Sequence, residues 1–545
     1  MNDSVNVEPE QQAVHPRAIS AALLLPIVAV SVAGALIGLD LIASLGITPN
    51  TSVIGAMAAM TLGRIPLVAF AGYRSPHAQN LVQSAMSSAT FGAANSLLLP
   101  IGIPFLLGRA DLIAPLFVGV AMAMIIDAIM LYRLYGTAIF PAEGAWPPGV
   151  AAAEVIRMGD SGRRAGRTLA LGGGVGLAGG VLGLPMLAFG VAFIGSVPAL
   201  SAFCAGLLAK IPGGWLAAGG GAAWIQRLGV DPTLLPHGMM IGAALVALAQ
   251  IAPYLNPDAT GAVGAAASRR PGRTLMGGAA AFVAVAAFIA VAGGLAAELD
   301  PWMLAAFVVF AAVAALAHQL VVGLAAMQSG WFPAYALALV TLMLGLLAGF
   351  PPLALALLTG FTAATGPCFA DMGYDLKAGT ILRAGCGPAF ELEGRRQQLL
   401  ATLVAFAVAI PITALAWPSL FGRGLIPPID RVYAAAIDAG AHPQTLASLA
   451  LWALPGAFVQ WIGGARRQLG VMLATGLLLG DPGAGLAVLT GLALRLIWLK
   501  CRPSRQEASR EASREALQGF GGGVICADAI VSVVQGMSIG VLRGR

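Results

Sequence analysis

The amino-acid sequence predicts an all-α polytopic membrane protein with about 14–16 transmembrane helices in two weakly repeated halves. Three observations predict it. Hydrophobic residues make up 58% of the chain and charged residues only 10%, where soluble domains carry about 25% charge. Apolar runs of about 20 residues, long enough to cross roughly 30 Å of hydrocarbon, recur from one end to the other. None of them shows the strict alternation of a barrel strand.

Residues 1–17 are polar and mildly acidic and lead directly into an apolar run, so they read as a cytosolic tail before a first helix rather than a cleaved signal peptide. Four runs follow, at 18–45, 51–72, 80–107 and 111–135. The third carries Asn80, Gln83, Ser84, Ser87, Ser88 and Asn95 at helical spacing. Such a stripe either faces a polar cavity or bonds neighbouring helices together. The fourth contains Asp127, which at membrane depth must pair, protonate or face water; Arg133 is its candidate partner if it reaches back.

Between the fourth run and the next lies FPAEGAWPPGVAAAEVIR, with Glu143, Glu154 and the pair Pro147-Pro148. Because proline cannot continue a helix, this stretch reads as a shaped re-entrant or surface loop. Runs at 168–193, 196–218, 233–254 and 274–297 complete a first half, 18–297. Gly172, Gly176 and Gly180 mark a close-packing helix face rather than a dinucleotide loop, for no βαβ unit surrounds them.

The second half, 298–545, opens with runs at 302–327, 331–350 and 352–370. His318 sits mid-run, either as a proton relay or as a hydrogen-bonded packing residue. Gln328 and Ser329 precede Pro333, which frees backbone carbonyls. Asp371, Asp375 and Lys377 come directly after the 352–370 run; ionisable groups at that depth cost about 2.5–3.5 kcal/mol each, so either they serve a function or they meet headgroups and water in an interfacial loop. The last runs are 397–421, 443–463, 467–499 and 519–541, with Asp481 at a break in one and Asp528 inside another. Residues 501–518 form a charged cytosolic connector with an EASR repeat.

Basic residues cluster in short loops as the positive-inside rule requires, so the net charge of +6 is a topology signal and no nucleic-acid partner is expected. Five scattered cysteines give no metal site, and no structural metal or cofactor is expected. Without a Walker A loop, ATP does not drive this chain directly; without HExxH or GxSxG, no enzyme is expected. A passive channel or a membrane-integral enzyme remain the readings of other classes.

Four pairs of segments recur at nearly one offset: Gln83-Ser84 with Gln328-Ser329, EVIRMG at 154–159 with TILRAG at 380–385, Gly162-Arg163-Arg164 with Gly394-Arg395-Arg396, and GMMIGAAL at 238–245 with GVMLATGL at 470–477. Two halves in the same sense would be related by an axis along the membrane normal, with a substrate site between them.

NLVQSAMSSATFGAANSLLLP, FPAEGAWPPGVAAAEVIRMG, GLAAMQSGWFPAYA, ADMGYDLKAGTILRAG and ATGLLLGDPGAGL, in that order, resemble the oligopeptide transporter (OPT) superfamily, in its prokaryotic and yellow-stripe-like branch. The resemblance covers residues 20 to 540 and is most specific at Asp375-Leu376-Lys377-x-Gly379. It implies helices arising by duplication in a multi-pass protein of the bacterial inner membrane. It also implies proton-coupled symport of oligopeptides or of peptide-like metal chelates, with Asn80, Gln83, Gln328, Ser329, Asp371, Asp375 and Lys377 toward the pathway. Gly330-Trp331-Phe332-Pro333 departs from the family's Asn-Pro-rich sequence, and Asp481 stands where Glu is common. The expected partners are therefore a small-molecule or peptide substrate, protons and the lipid bilayer.

Overall fold

The structure, a computed structural model, describes residues 14–45, 55–56, 74–160, 165–209, 231–251, 271–330, 334–440, 443–479, 481–501 and most of 513–535. The expected run at 51–72, the Gly162-Arg163-Arg164 segment, Trp331 to Pro333 and most of the EASR connector lie outside the described residues. Within them the chain is helical, without a β-strand; a single bridge joins Tyr135 to Phe140. Nine helices among the described residues are long and apolar enough to cross a membrane, and shorter apolar helices accompany them. The protein is an integral, multi-pass membrane protein. Large apolar side chains such as Leu415, Leu454 and Trp461 are exposed on its outside, as lipid contact demands.

In chain order, α1 is Ala21–Leu45 and α2 is Pro76–Phe91, which continues through a π-helical turn, Gly92–Leu98, into α3, Leu99–Leu106. Next come α4 (Ile113–Leu134), α5 (Pro147–Asp160), α6 (Ala165–Val181), α7 (Met186–Ile194) and α8 (Val197–Leu208). Helices α9 (Leu235–Ile251), α10 (Pro271–Ala292), α11 (Pro301–Ser329) and α12 (Ala334–Leu347) follow. Helix α13 (Pro352–Ala364) breaks at Thr365-Gly366 into α14 (Pro367–Leu382). The remainder is α15 (Pro388–Gly422), α16 (Pro428–Ala439), α17 (Pro443–Arg467), α18 (Leu469–Leu479), α19 (Pro482–Cys501) and a last short helix, Ala516–Ile525.

Two of the spans are unlike the rest. Pro76–Leu106 and Pro352–Leu382 are each 31 residues long and almost wholly enclosed by protein. They run antiparallel against each other: Gln83 meets Asp375, Ser87 meets Asp371, and Ser96 meets Ala364 and Cys368. Both are interrupted near the middle, the first by the π-helical turn and the second at Gly366. Pro100 and Pro104 cannot donate backbone N–H groups, which loosens the ladder of the first. Gly366 holds φ +99°, a conformation that L side chains rarely adopt.

Several expectations are corrected here. Asp371, Asp375 and Lys377 do not follow a span but lie inside the second piece of one, buried or half-buried on α14. The prolines Pro147-Pro148 do not hold a loop open; they start α5, where a first-turn residue needs no N–H, so Glu154 is helical and only Glu143 stays in the loop. Asp127 is not paired with Arg133; its Oδ2 accepts the Gly366 N–H at 2.6 Å.

The glycine face of α6 packs as its spacing predicts. A Cβ at Gly172 would meet the Phe520 carbonyl at 2.0 Å, one at Gly176 the Val524 carbonyl at 2.6 Å, and one at Gly180 the Val531 side chain at 3.3 Å. The repeat pairs behave unequally. Segment 154–159 lies in α5, which packs beside α14, the helix containing Thr380 to Leu382 of the matching segment; Arg157 donates to the Ile381 carbonyl. Gln83, however, is the eighth residue of its helix, whereas Gln328 is the penultimate residue of α11. Apolar side chains from both sides of residue 297 share one core.

Candidate functional site

At the centre of the core, α14 turns two carboxyls onto the polar stripe of α2. Their spacing of four residues puts Asp371 and Asp375 one turn apart on the same face. Ser87 donates to Asp371 in a very short hydrogen bond, and Ser88 donates to it at 3.1 Å. The Gln83 amide donates to Asp375 at 2.6 Å, and Ser88 lies 3.3 Å from its other oxygen. Ser88 thus touches both acids, and it also meets Thr402 of α15 at 3.0 Å. Neither acid forms an ion pair with any described residue. Two carboxyls this buried, with hydroxyl and amide donors but no cation among the described residues, would hold a double negative charge only at high cost.

A polar chain leads from this pair toward the end of α14. The Gln398 amide donates to the Asp375 carbonyl at 2.6 Å and to Ser84 at 3.2 Å, while its oxygen accepts from Arg383 at 3.0 Å. Arg383, with a fully buried side chain, is paired with Glu391 at 2.6 Å, which also pairs with Arg395 at 2.7 Å. Arg395 lies over the Tyr135 ring, whose hydroxyl donates to Thr380; burial pushes the Tyr135 phenol up to about 12. Beyond Glu391, His15 packs on His77 and Phe390, and Ala18 donates its N–H to Gln397 at 2.8 Å. Burial lowers the His15 imidazole below its ordinary value.

The other face of α14 opens onto a cavity of about 800 Å³. Lys377 follows Asp375 by two residues, which on a helix points it to nearly the opposite side. Its ammonium donates to the Ala142 carbonyl at 2.9 Å, and Glu143 faces it from the same loop. Across the cavity, Arg495 of α19 donates to the Ala192 and Gly195 carbonyls at 3.0 and 2.7 Å. Those carbonyls end α7, where the helix dipole favours a cation. Gln328, Ser196, Gln468 and Gln518 complete the polar part of the wall. Gln468 holds φ +53°, rare for a residue with a side chain, and is fixed by Gln460, which bonds Gln468 and Gln250 at 2.9 Å each.

The remaining predicted residues have other surroundings. Asp127 accepts the amide of Gly366 just ahead of α14, holding the break in place. His318 is hydrogen-bonded through both ring nitrogens, to the Ala334 carbonyl at 2.9 Å and the Thr365 hydroxyl at 3.4 Å. Asp481 is exposed and caps α19, accepting the amides of Gly483 and Ala484. Asp528 is half-buried against the first amides of α7. Ser329 bonds its own helix at the Ala325 carbonyl. Glu154 pairs with Arg157 at 3.4 Å, outside the cavity wall. Asn80 is buried, with neither end of its amide bonded to any described residue.

Sequence reasoning missed Gln398, Arg383, Gln468 and Arg495. Only Arg495 carried a signal that could have found it, as a lone basic residue within an apolar run. A scan against models of known protein families finds no match, and a search of curated proteins finds no significant relative.

Proposed function

We propose that this chain is a secondary active transporter that couples inward proton flow to uptake of oligopeptides or peptide-like substrates. One observation carries the reading: a single helix, α14, presents a buried acid pair on one face and Lys377 in a charged cavity on the other. Proton loading at Asp371 and Asp375 changes how tightly α14 is held against α2. The same rigid helix moves Lys377, and with it the cavity. A ligand or proton shifts such an equilibrium only by its differential affinity for two states, and this arrangement provides that difference at two sites on one element.

The cavity suits a zwitterion. Its volume lies within the range of about 300–1,000 Å³ typical of small-ligand sites. Glu143 complements a substrate amine, and Lys377 with Arg495 complements carboxylates. The resemblance of the α2 and α14 segments to the OPT superfamily supports the same substrate class and placement in a bacterial inner membrane.

The test is uptake into proteoliposomes under an imposed inward proton gradient, comparing a labelled tripeptide with the iron chelate of a peptide-like siderophore. Gradient-dependent accumulation of either establishes symport and selects the substrate. Downhill flux indifferent to proton ionophores indicates a channel, and substrate turnover in detergent indicates an enzyme; either result overturns the proposal.

A further inference from the structure

A second buried acid lies far from the pair on α14. Asp430, in the first turn of α16, is fully buried, and neither of its carboxyl oxygens has a hydrogen-bond partner among the described residues. First-turn aspartates ordinarily accept backbone amides; this one reaches none. Its carboxyl is pressed instead against Gly102 of α3, where an added Cβ would fall 1.9 Å from Oδ2 and 2.8 Å from Cγ. Only a glycine admits the acid at this position.

No ion pair reaches this carboxyl among the described residues, and the cation that acts on it, Arg431, points to the exposed side of its turn. Helices α3 and α13 contribute no titratable side chain to the contacts around this turn. Helix α12 contributes Tyr335, whose carbonyl accepts from Tyr433, one turn along from Asp430. Helix α1 carries Asp40, whose nearest opposite charge is Arg423, and Arg431 on Asp430's own turn is exposed. An unpaired carboxylate in so apolar a place would be held at a very high cost, whereas a neutral acid is tolerated.

We propose that Asp430 is a second proton-binding site, which holds its proton as a neutral acid while α16 is closed on Gly102 and exchanges it when that contact opens. The site is fifteen residues along the same span from Ser87, roughly 20 Å at helical rise. It therefore lies toward the opposite end of the span from Gln83. Tyr433 bonds Tyr335, and the Tyr335 hydroxyl bonds Asn95 in the π-helical turn at 3.1 Å. Ser96 beside it reaches Cys368, one turn before Asp371, at 3.3 Å. Opening at α16 is thus linked through the π-helical turn to the acid pair. The proton site stands on its own geometry; its use in coupling rests on the transport reading.

The test needs no transport. Infrared spectra of the purified protein in liposomes at pH 7 are compared for wild type, Asp430→Asn and Asp430→Leu, the apolar replacement covering the case in which an unpaired amide prevents folding. The protonated-carboxyl C=O band at this position should be absent from the variants and present in wild type. In parallel, the wild-type folding constant should fall by up to tenfold per pH unit above the ordinary carboxyl range, where the unfolded chain has lost this proton and the folded protein still holds it, and that slope should be lower in either variant. A wild-type spectrum that loses no protonated-acid intensity on substitution, or pH slopes that coincide, would show Asp430 ionised and overturn the proposal. Failure to take up both the tripeptide and the siderophore chelate, with the band present, would refute the transport reading alone.

Discussion

Replacing Glu391 with glutamine should be among the most destabilising single changes outside the apolar core. Arg383 has no exposed side-chain surface, and its one carboxylate is Glu391 at 2.6 Å; the Gln398 amide supplies a neutral bond at 3.0 Å. Removing one partner of a buried ion pair costs about 3–5 kcal/mol because the other charge is left uncompensated. Glu391 is 20% exposed, so water recovers part of that, and the lower end, about 3 kcal/mol, applies. That equals roughly a hundredfold in the folded-to-unfolded ratio. Reversible unfolding in mixed micelles, followed by tryptophan fluorescence, measures it. The double variant Arg383→Met/Glu391→Leu should regain part of the loss, since it leaves no uncompensated charge at Arg383, although Arg395, 13% exposed, still loses its carboxylate. A Glu391→Gln protein within 1 kcal/mol of wild type, or a double variant no better than the single, would refute the argument.

Three further outcomes are expected. Gly476→Leu should prevent α18 from seating on α8, because even a Cβ there would be 2.2 Å from the Phe203 carbonyl; loss of the folded protein's peak in size exclusion would show it, and an unchanged profile would not fit this packing. Asp127→Ala should cost about 1–3 kcal/mol by leaving the Gly366 amide unbonded, and Asp127→Asn, which keeps an acceptor, clearly less; equal losses would mean that the bond is unimportant. Acidification should undock the segment at His15. Its docked imidazole sits below the ordinary value, so docking is unaffected above pH 6.5 and weakens as pH falls through it, when the released form alone takes up a proton. Once the intrinsic pH dependence of exchange is divided out, protection of the Ala18 amide should fall accordingly, and His15→Leu should weaken that dependence.

The apolar runs were legible because burial in lipid demands length and hydrophobicity that single-sequence reading detects directly. Several run positions, such as 302–327 for α11, match observed helices closely. The acids on α14 stood out for the same reason, as charges where charge is costly. What the chain could not reveal locally was their partners. Gln83, Ser87 and Ser88 are nearly three hundred residues from Asp371 and Asp375, and without them the polar stretch looks like the end of a span rather than its second piece. Asp127 shows the same limit, since its true partner is a backbone amide 239 residues away. Asp481 attracted attention as an acid at a break, but capping α19 accounts for it. Asp430 lies between two apolar runs, where an acid attracts no notice; only the contact with Gly102 reveals its burial.

The most direct test of the account is the proton requirement of the acid pair. Asp375→Asn keeps the shape and an acceptor for the Gln83 amide while removing one titratable proton. In proteoliposomes it should insert and fold normally, bind labelled tripeptide and exchange it across the membrane, yet fail to accumulate it under an inward proton gradient. Gradient-driven accumulation at the wild-type level would remove the pair from coupling and contradict the account.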